Sequence, residues 1–395
     1  MTGSWRPHKQ AHADAPLRYR VPVASDPSSL AAGTPRRLVI LAEGAFAVHS
    51  AKTAMGVLRY SPDSVTAVID SSQAGRNVRE WLGDEERFDV PVVASLDEAL
   101  ARGPADALLI GIAPTGGRLP AEWRATILEA IEEGLDVLSG LHMFLGDDPE
   151  FATAAREAGA AIVDYRRPPD RTETAVGRRH GPGKRVILTV ATDCAIGKMS
   201  VALELRRAAV AAGRSAVFVP TGQTGMMIEG WGVAVDRVIS DFLQGAVEEL
   251  VEEAEGRGDW LLVEGQGSLD HPAYSSVTLG LIHGATPHAM ILVHKPGLAD
   301  HDFDHLPDRT FPIAELNPFI DLHERIAGLI APSKVVAIAL NTSLIASDAD
   351  ACAETERTAA ETGLPCDDPL RFGPERLWAA VEAGVDALPW VTAGT

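Results

Sequence analysis

Short apolar runs alternate with amphipathic stretches along most of this chain, regularly so from residue 36 onward. "LVILAEG" (38–44), "VTAVIDS" (65–71), "VVAS" (92–95), "ALLIGIA" (107–113), "LDVLSGL" (135–141) and "AAIVDYR" (160–166) read as strands. Between them, 52–59, 76–82, a short stretch after 95 and 121–134 read as helices. In the last of these Trp123, Ile127, Leu128 and Ile131 lie at helical spacings of three and four. "RRPPDRTETAVGRRHGPGK" (166–184) breaks the pattern with paired prolines, many charges and no apolar period, and reads as a linker over 167–184. The alternation then restarts. Strands are expected at 185–191, 215–222, 260–267, 288–295 and 335–342, with helices at 197–212, 240–255, 274–284, 315–331 and 349–362, and a last one in "RFGPERLWAAVEAG". Strands alternating with helices imply crossovers and parallel sheets. The expected fold class is therefore α/β: a Rossmann-like domain over 36–166 and a P-loop NTPase-like domain over 185–395, preceded by a flexible, polar arm over 1–35.

Charge narrows the function. The chain has 35 basic and 55 acidic side chains in 395 residues, a net charge of −20. That argues against nucleic acid or an anionic membrane as a partner, since both need a basic surface. A small anionic ligand survives this argument, because a local set of amides and one lysine can hold it. Cys194, Cys352 and Cys366 show neither CxxC spacing nor a pairing pattern. The N-terminus lacks the apolar core of a secretory signal, and no run is long enough to span a bilayer. A cytoplasmic homo-oligomer is expected.

The most informative stretch is "VATDCAIGKMS" (190–200). A strand ends, the chain turns, and a helix opens at Gly197-Lys198. Free N–H groups at a helix start, a dipole contribution of ~0.3–1 kcal/mol and a mobile lysine suit a phosphate. Asp193, Cys194, Ala195, Ile196, Gly197, Lys198, Met199 and Ser200 are thus candidates to hold a phosphorylated cofactor. Met199 stands where nucleotide-binding loops keep the Ser or Thr that ligates Mg²⁺, and Ser200 is one residue late, about 100° around the helix. Phosphate binding without the usual Mg-nucleotide geometry is expected. Cys194 beside Lys198 would have a lowered pKa, which makes an acyl-cysteine conceivable, although packing is the commoner role for such a residue.

"VEGQGSLDHPAYSS" (263–276) places Glu264 at the C-terminal end of a buried strand, the edge where open α/β sheets bind ligands. Glu264 is the first candidate for a general base and His271 the second, with Gln266, Ser268 and Tyr274 as neighbours for substrate. "PTGQTG" (220–225) offers Gly222, Gln223, Thr224 and Gly225 as a further cofactor loop; a tight turn is the plain alternative. Asp241 is read either as a helix cap or as a ligand. Lys52 and Arg59 could meet an anionic substrate. "APTGG" (113–117) and "GLHMF" (140–144) look ligand-facing, and "HDFDH" (301–305) is suggestive, with a solvated loop as the plain alternative. The histidines His283, His294, His301, His305 and His323 show no metal-ligand spacing, so no metal site is expected.

Taken together, "AKTAMGVLRYSPDSVTAVIDSSQAG", "TDCAIGKMSVALEL", "PTGQTGMM", "VEGQGSLDHPAYSSVTLGLIHGA" and "ALNTS" resemble the D-glutamate N-acetyltransferase family over about 37–375. The P-loop half is also similar to dethiobiotin synthetase. The resemblance implies acetyl transfer from acetyl-CoA to the amine of an acidic amino acid. Lys198 and its loop would hold the CoA phosphates, and Lys52, Arg59 or Lys295 would meet substrate carboxylates between the domains. Lys295 stands where the family pattern has an acidic residue, and the N-terminal arm is an addition. The rival enzyme is an ATP- and Mg-dependent ligase or kinase built on Lys198, Ser200, Asp241 and Glu264. The non-enzymatic rival is a nucleotide-sensing regulator.

Overall fold

The computed structural model describes residues 35–47, 51–112, 119–169, 173–301 and 309–392. "APTGG", most of "HDFDH" and nearly all of the N-terminal arm lie outside them. The first half is a parallel six-stranded sheet of β1 (Arg37–Leu41), β2 (Ser64–Ile69), β3 (Val92–Val93), β4 (Ala107–Ile110), β5 (Asp136–Ser139) and β6 (Ile162–Asp164). Its order is β3-β2-β1-β4-β5-β6, so the chain winds outward from β1 in both directions. The helices are α1 (Lys52–Tyr60), α2 (Arg79–Leu82), α3 (Leu96–Leu100), α4 (Trp123–Glu132) and α5 (Pro149–Ala158).

The second half is also a parallel six-stranded sheet, of β7 (Arg185–Ala191), β8 (Ala216–Val219), β9 (Trp260–Val263), β10 (Ala289–His294), β11 (Lys334–Leu340) and β12 (Cys366–Asp367), in the order β12-β11-β10-β7-β9-β8, so β9 is inserted between β7 and the edge strand β8. Its helices are α6 (Lys198–Ala211), α7 (Gln223–Glu229), α8 (Ser240–Glu255), α9 (Ser275–Ala285), α10 (Leu316–Ala327), α11 (Asp348–Thr362), α12 (Glu375–Asp386) and α13 (Pro389–Thr392). β7, β9 and β10 are continuous apolar runs because helices cover both faces of a parallel sheet. β7 lies between β9 and β10, so the loop leaving β7 is flanked by the loops leaving both neighbours.

Besides the one-turn α13, two helices escape the apolar pattern. α5 carries its own signals: Asp148 accepts from the Glu150 and Phe151 N–H groups, Pro149 opens the helix, and left-handed Gly159 stops it. α7 starts inside the expected turn "PTGQTG". Its residues Met226, Met227 and Ile228 are buried, and α1 packs on it from the other half. A Cβ on Gly56 of α1 would lie 2.8 Å from Thr224 Cγ2 and 3.1 Å from Met199 Cε, so a glycine is needed for this approach. Thr53 Oγ1 meets Thr224 Oγ1 at 3.0 Å. One apolar cluster runs through both halves.

The expected linker is anchored where it is described. Residues 173–181 form no helix or strand but run along α8. Val176 N and Arg178 N donate to Glu248 at 3.0 and 2.6 Å. Arg178 pairs with Glu252, and His180 lies 2.9 Å from Glu255. Gly245 permits the contact, since a Cβ there would lie 2.1 Å from Glu173 O. A row of glutamates on one helix face supplies the partners that an apolar pattern cannot show.

Candidate active site

After Ala191 the chain turns through Thr192–Gly197 into α6. The turn needs left-handed backbone at Ala195 (φ +56°) and Gly197 (φ +123°), which glycine adopts freely and alanine at a cost of roughly 1–2 kcal/mol. The N–H groups of Gly197, Lys198, Met199 and Ser200 find no acceptor among the described residues, and no side chain caps α6. Such a set is an anion site in waiting. Asn341 Nδ2 steadies the loop by donating to Ile196 O at 2.8 Å. Thr192 Oγ1 lies 3.0 Å from His294 Nδ1.

Lys198 is buried, and its Nζ donates to Asp193 O at 2.8 Å. Burial pushes its pKa down to about 8. Its stem passes over Gly265, where a Cβ would lie 3.1 Å from Lys198 Cδ and 1.6 Å from Thr189 O. On the β9 side of Lys198, Glu264 Oε2 accepts from Thr221 N and Gly222 N at 3.0 and 3.1 Å. Burial pushes Glu264 up to about 7, partly offset by those amides, Gln266 and Lys198. Gln266 Nε2 donates to Thr221 Oγ1 at 3.3 Å.

On the β10 side, Asp193 Oδ1 accepts from Cys194 N at 2.7 Å and lies 2.9 Å from His301 Nδ1. His301 Nε2 lies 3.3 Å from Asp270 Oδ2. Ser268 Oγ sits 2.8 Å from Ala191 O and 2.5 Å from Asp270 Oδ1, so its one proton is shared between them. His271 Nδ1 accepts from Ala273 N at 3.1 Å, and the ring stacks on Tyr274, which is itself exposed. Burial lowers the His271 pKa, so the ring is neutral near pH 7. Asp193, His271 and His301 are all buried and bring three ligand atoms within 4.8 Å of one another. The sequence reading expected no metal site; these three groups lie close enough together that they could hold an ion.

Several expectations change. Met199 and Ser200 leave the loop: Met199 packs toward Gly56, and Ser200 faces the Tyr60 hydroxyl, which donates to Glu204 at 3.1 Å. Cys194 is no thiolate, because burial pushes its thiol up to about 11 and the nearby lysines only partly compensate. In "PTGQTG", Gly222 and Gly225 make room for Glu264: a Cβ on Gly225 would lie 2.7 Å from its Oε2. Gln223 and Thr224 face Gly140 and Gly56 in the first half. Asp241 is exposed in the first turn of α8 and caps nothing, and Asp236 pairs with Arg166 across the domains. Lys52 opens α1 and is exposed, with its charge felt at Cys194. Arg59 lies seven residues, about 10.5 Å, further along α1, beside Tyr60. Lys295 is half-buried after β10. Asp270 and His301 are the participants that sequence reasoning missed. His301 contacts Asp193 across 108 residues, and neither lies on a shared helix or motif.

Family profiles match this arrangement in both halves. "Domain of unknown function (DUF1611_N) Rossmann-like domain" covers residues 71–168, and "Domain of unknown function (DUF1611_C) P-loop domain" covers 173–378. The chain belongs to the DUF1611 family. The crystal structure of a DUF1611 family protein from Anabaena variabilis ATCC 29413 superimposes with a TM-score of 0.81 at 39% identity, covering 88% of this chain and 99% of that one. A D-glutamate N-acetyltransferase of Tritonibacter scottomollicae is 37% identical over 343 residues, 85% of this chain and 95% of the relative. Another D-glutamate N-acetyltransferase, from Pseudoalteromonas sp., is 38% identical over 288 residues, 72% and 83% of the two chains. This family member is an enzyme of the N-acetyltransferase class. Among its described residues no helix is long and apolar enough to cross a membrane.

Proposed function

We propose that this enzyme moves an acetyl group from acetyl-CoA to the amine of an acidic amino acid such as D-glutamate, with the CoA phosphates on the β7–α6 loop. The carrying observation is the match to two D-glutamate N-acetyltransferases through both domains. The loop's chemistry suits the donor. CoA phosphates need amides and a cation, which Gly197–Ser200 and Lys198 offer. They need no magnesium hydroxyl, and Met199 and Ser200 both turn toward α1.

Acetyl-CoA supplies the thioester; the chain supplies positioning and a proton acceptor. Glu264 is that acceptor, because a carboxyl near pKa 7 is poised to take a proton from the substrate ammonium at neutral pH. His271 ranks behind it, since Ala273 already occupies its Nδ1 lone pair. The freed amine attacks the thioester carbon, the C–S bond breaks, and the sulfur leaves with the bond electrons and takes up the second amine proton, giving the amide and the free CoA thiol. Lys52, exposed beside the loop, suits a substrate carboxylate.

The test is incubation of the full chain with acetyl-CoA and D- or L-amino acids, with free CoA and acetylated product followed by mass spectrometry. Acetylated acidic amino acid, lost in Lys198→Ala, is the expected result. ADP made from Mg-ATP with the same amino acids, and no acetylated product, would overturn the reading in favour of a ligase or kinase.

A further inference from the structure

We propose that Asp193, His271 and His301 form a binding site for a divalent transition metal of the zinc class, on the β10 side of the phosphate loop. This goes beyond acetyl transfer, which uses no metal in the reading above. Two observations carry it. The three side chains are buried and come from three separate loops, yet their ligand atoms converge within 4.8 Å. Independently, the His301 side chain is fully buried and its Nε2 has no hydrogen-bond partner among the described residues.

Nδ1 of His301 faces the Asp193 carboxylate at 2.9 Å, and its Nε2 lies 3.3 Å from Asp270 Oδ2 without hydrogen-bond geometry, so the ring stands between two carboxylates. Imidazole with carboxylate suits zinc and its neighbours in the series. Ligand atoms about 2.0–2.2 Å from one ion lie roughly 3–4 Å apart, so the cluster needs only a small contraction. Asp270 stands in reach as a further oxygen ligand, held by Ser268 and by Ala314 N at 3.2 Å. This position is separate from the Mg²⁺ place of nucleotide loops, which Met199 vacates toward α1. With three protein ligands, coordination positions stay open for a substrate oxygen or nitrogen.

The experiment uses the full chain stripped with a chelator and dialysed, then titrated with Zn²⁺ against a chromophoric competitor and, separately, with Co²⁺ followed by its visible d–d absorption. Wild type should take up one ion per chain and give a Co²⁺ spectrum of mixed nitrogen and oxygen ligation. His301→Gln and Asp193→Asn should each weaken Zn²⁺ by at least about 10–100-fold. Circular dichroism and melting in chelator report whether the variants fold, and the wild-type spectrum stands without them. No stoichiometric uptake by wild type, or folded variants that bind Zn²⁺ equally well, would overturn the site.

Discussion

Both halves of the molecule bury carboxylates where parallel strands end, and they use them differently. In the first half Asp70 accepts from Phe46 N at 2.8 Å and Ser72 N at 3.0 Å, and Asp164 accepts from Leu145 N and Gly146 N at 2.9 Å. These groups fasten loops. In the second half Glu264 also fastens a loop, but it does so beside Lys198, the only buried lysine among the described residues. Burial drives both groups toward neutrality from opposite directions. A common architecture thus becomes chemical only where burial leaves opposite charges poorly compensated. The first half contributes a wall, α1, which takes up the Met199 side chain.

The largest expected effect separates these two uses of a carboxylate. Glu264→Gln should lower kcat by about 100–10,000-fold, whereas Asp164→Asn should lower the melting temperature and leave kcat unchanged. Steady-state kinetics with calorimetry decides, and a silent Glu264→Gln would remove the base. Lys198→Ala should follow, with kcat/KM for acetyl-CoA down by about 100–1000-fold.

The pH profile sharpens the pair. Glu264 must be ionised, so kcat/KM should rise with pH through about 7. Lys198 must keep its proton, so kcat/KM should fall above about 8. The bell should be narrow, and Glu264→Gln should erase its acidic limb, a result that a purely structural Glu264 would not give.

Gly56→Val tests the wall. Its added atoms meet Thr224 and Met199, so about 1–3 kcal/mol of stability should be lost, with a smaller loss of activity. The smallest effect belongs to Cys194→Ser. A thiol held near pKa 11 is a poor nucleophile, so turnover should change by less than about threefold; abolished turnover would revive an acyl-cysteine.

Strands and most helices were legible in the sequence because burial imposes its period on the residues. α7 was not, since Met226 to Ile228 become a buried face only when α1 from the other half lies on them. The loop around Lys198 was visible as local spacing. The surroundings that tune it were not: Cys194 looked activated because helix start and lysine are local, while burial is a property of the whole fold. His301 stood in a suggestive stretch that could equally be a solvated loop, because its partners, Asp193 and Asp270, are remote in sequence.

The most direct measurement is calorimetric titration of the wild type and Lys198→Ala with CoA lacking metal and with Mg-ATP. The account predicts that wild type binds CoA without magnesium, that Lys198→Ala loses most of that affinity, and that Mg-ATP binds poorly. Tight Mg-ATP binding that depends on Lys198, with CoA bound weakly or unaffected by the substitution, would contradict it.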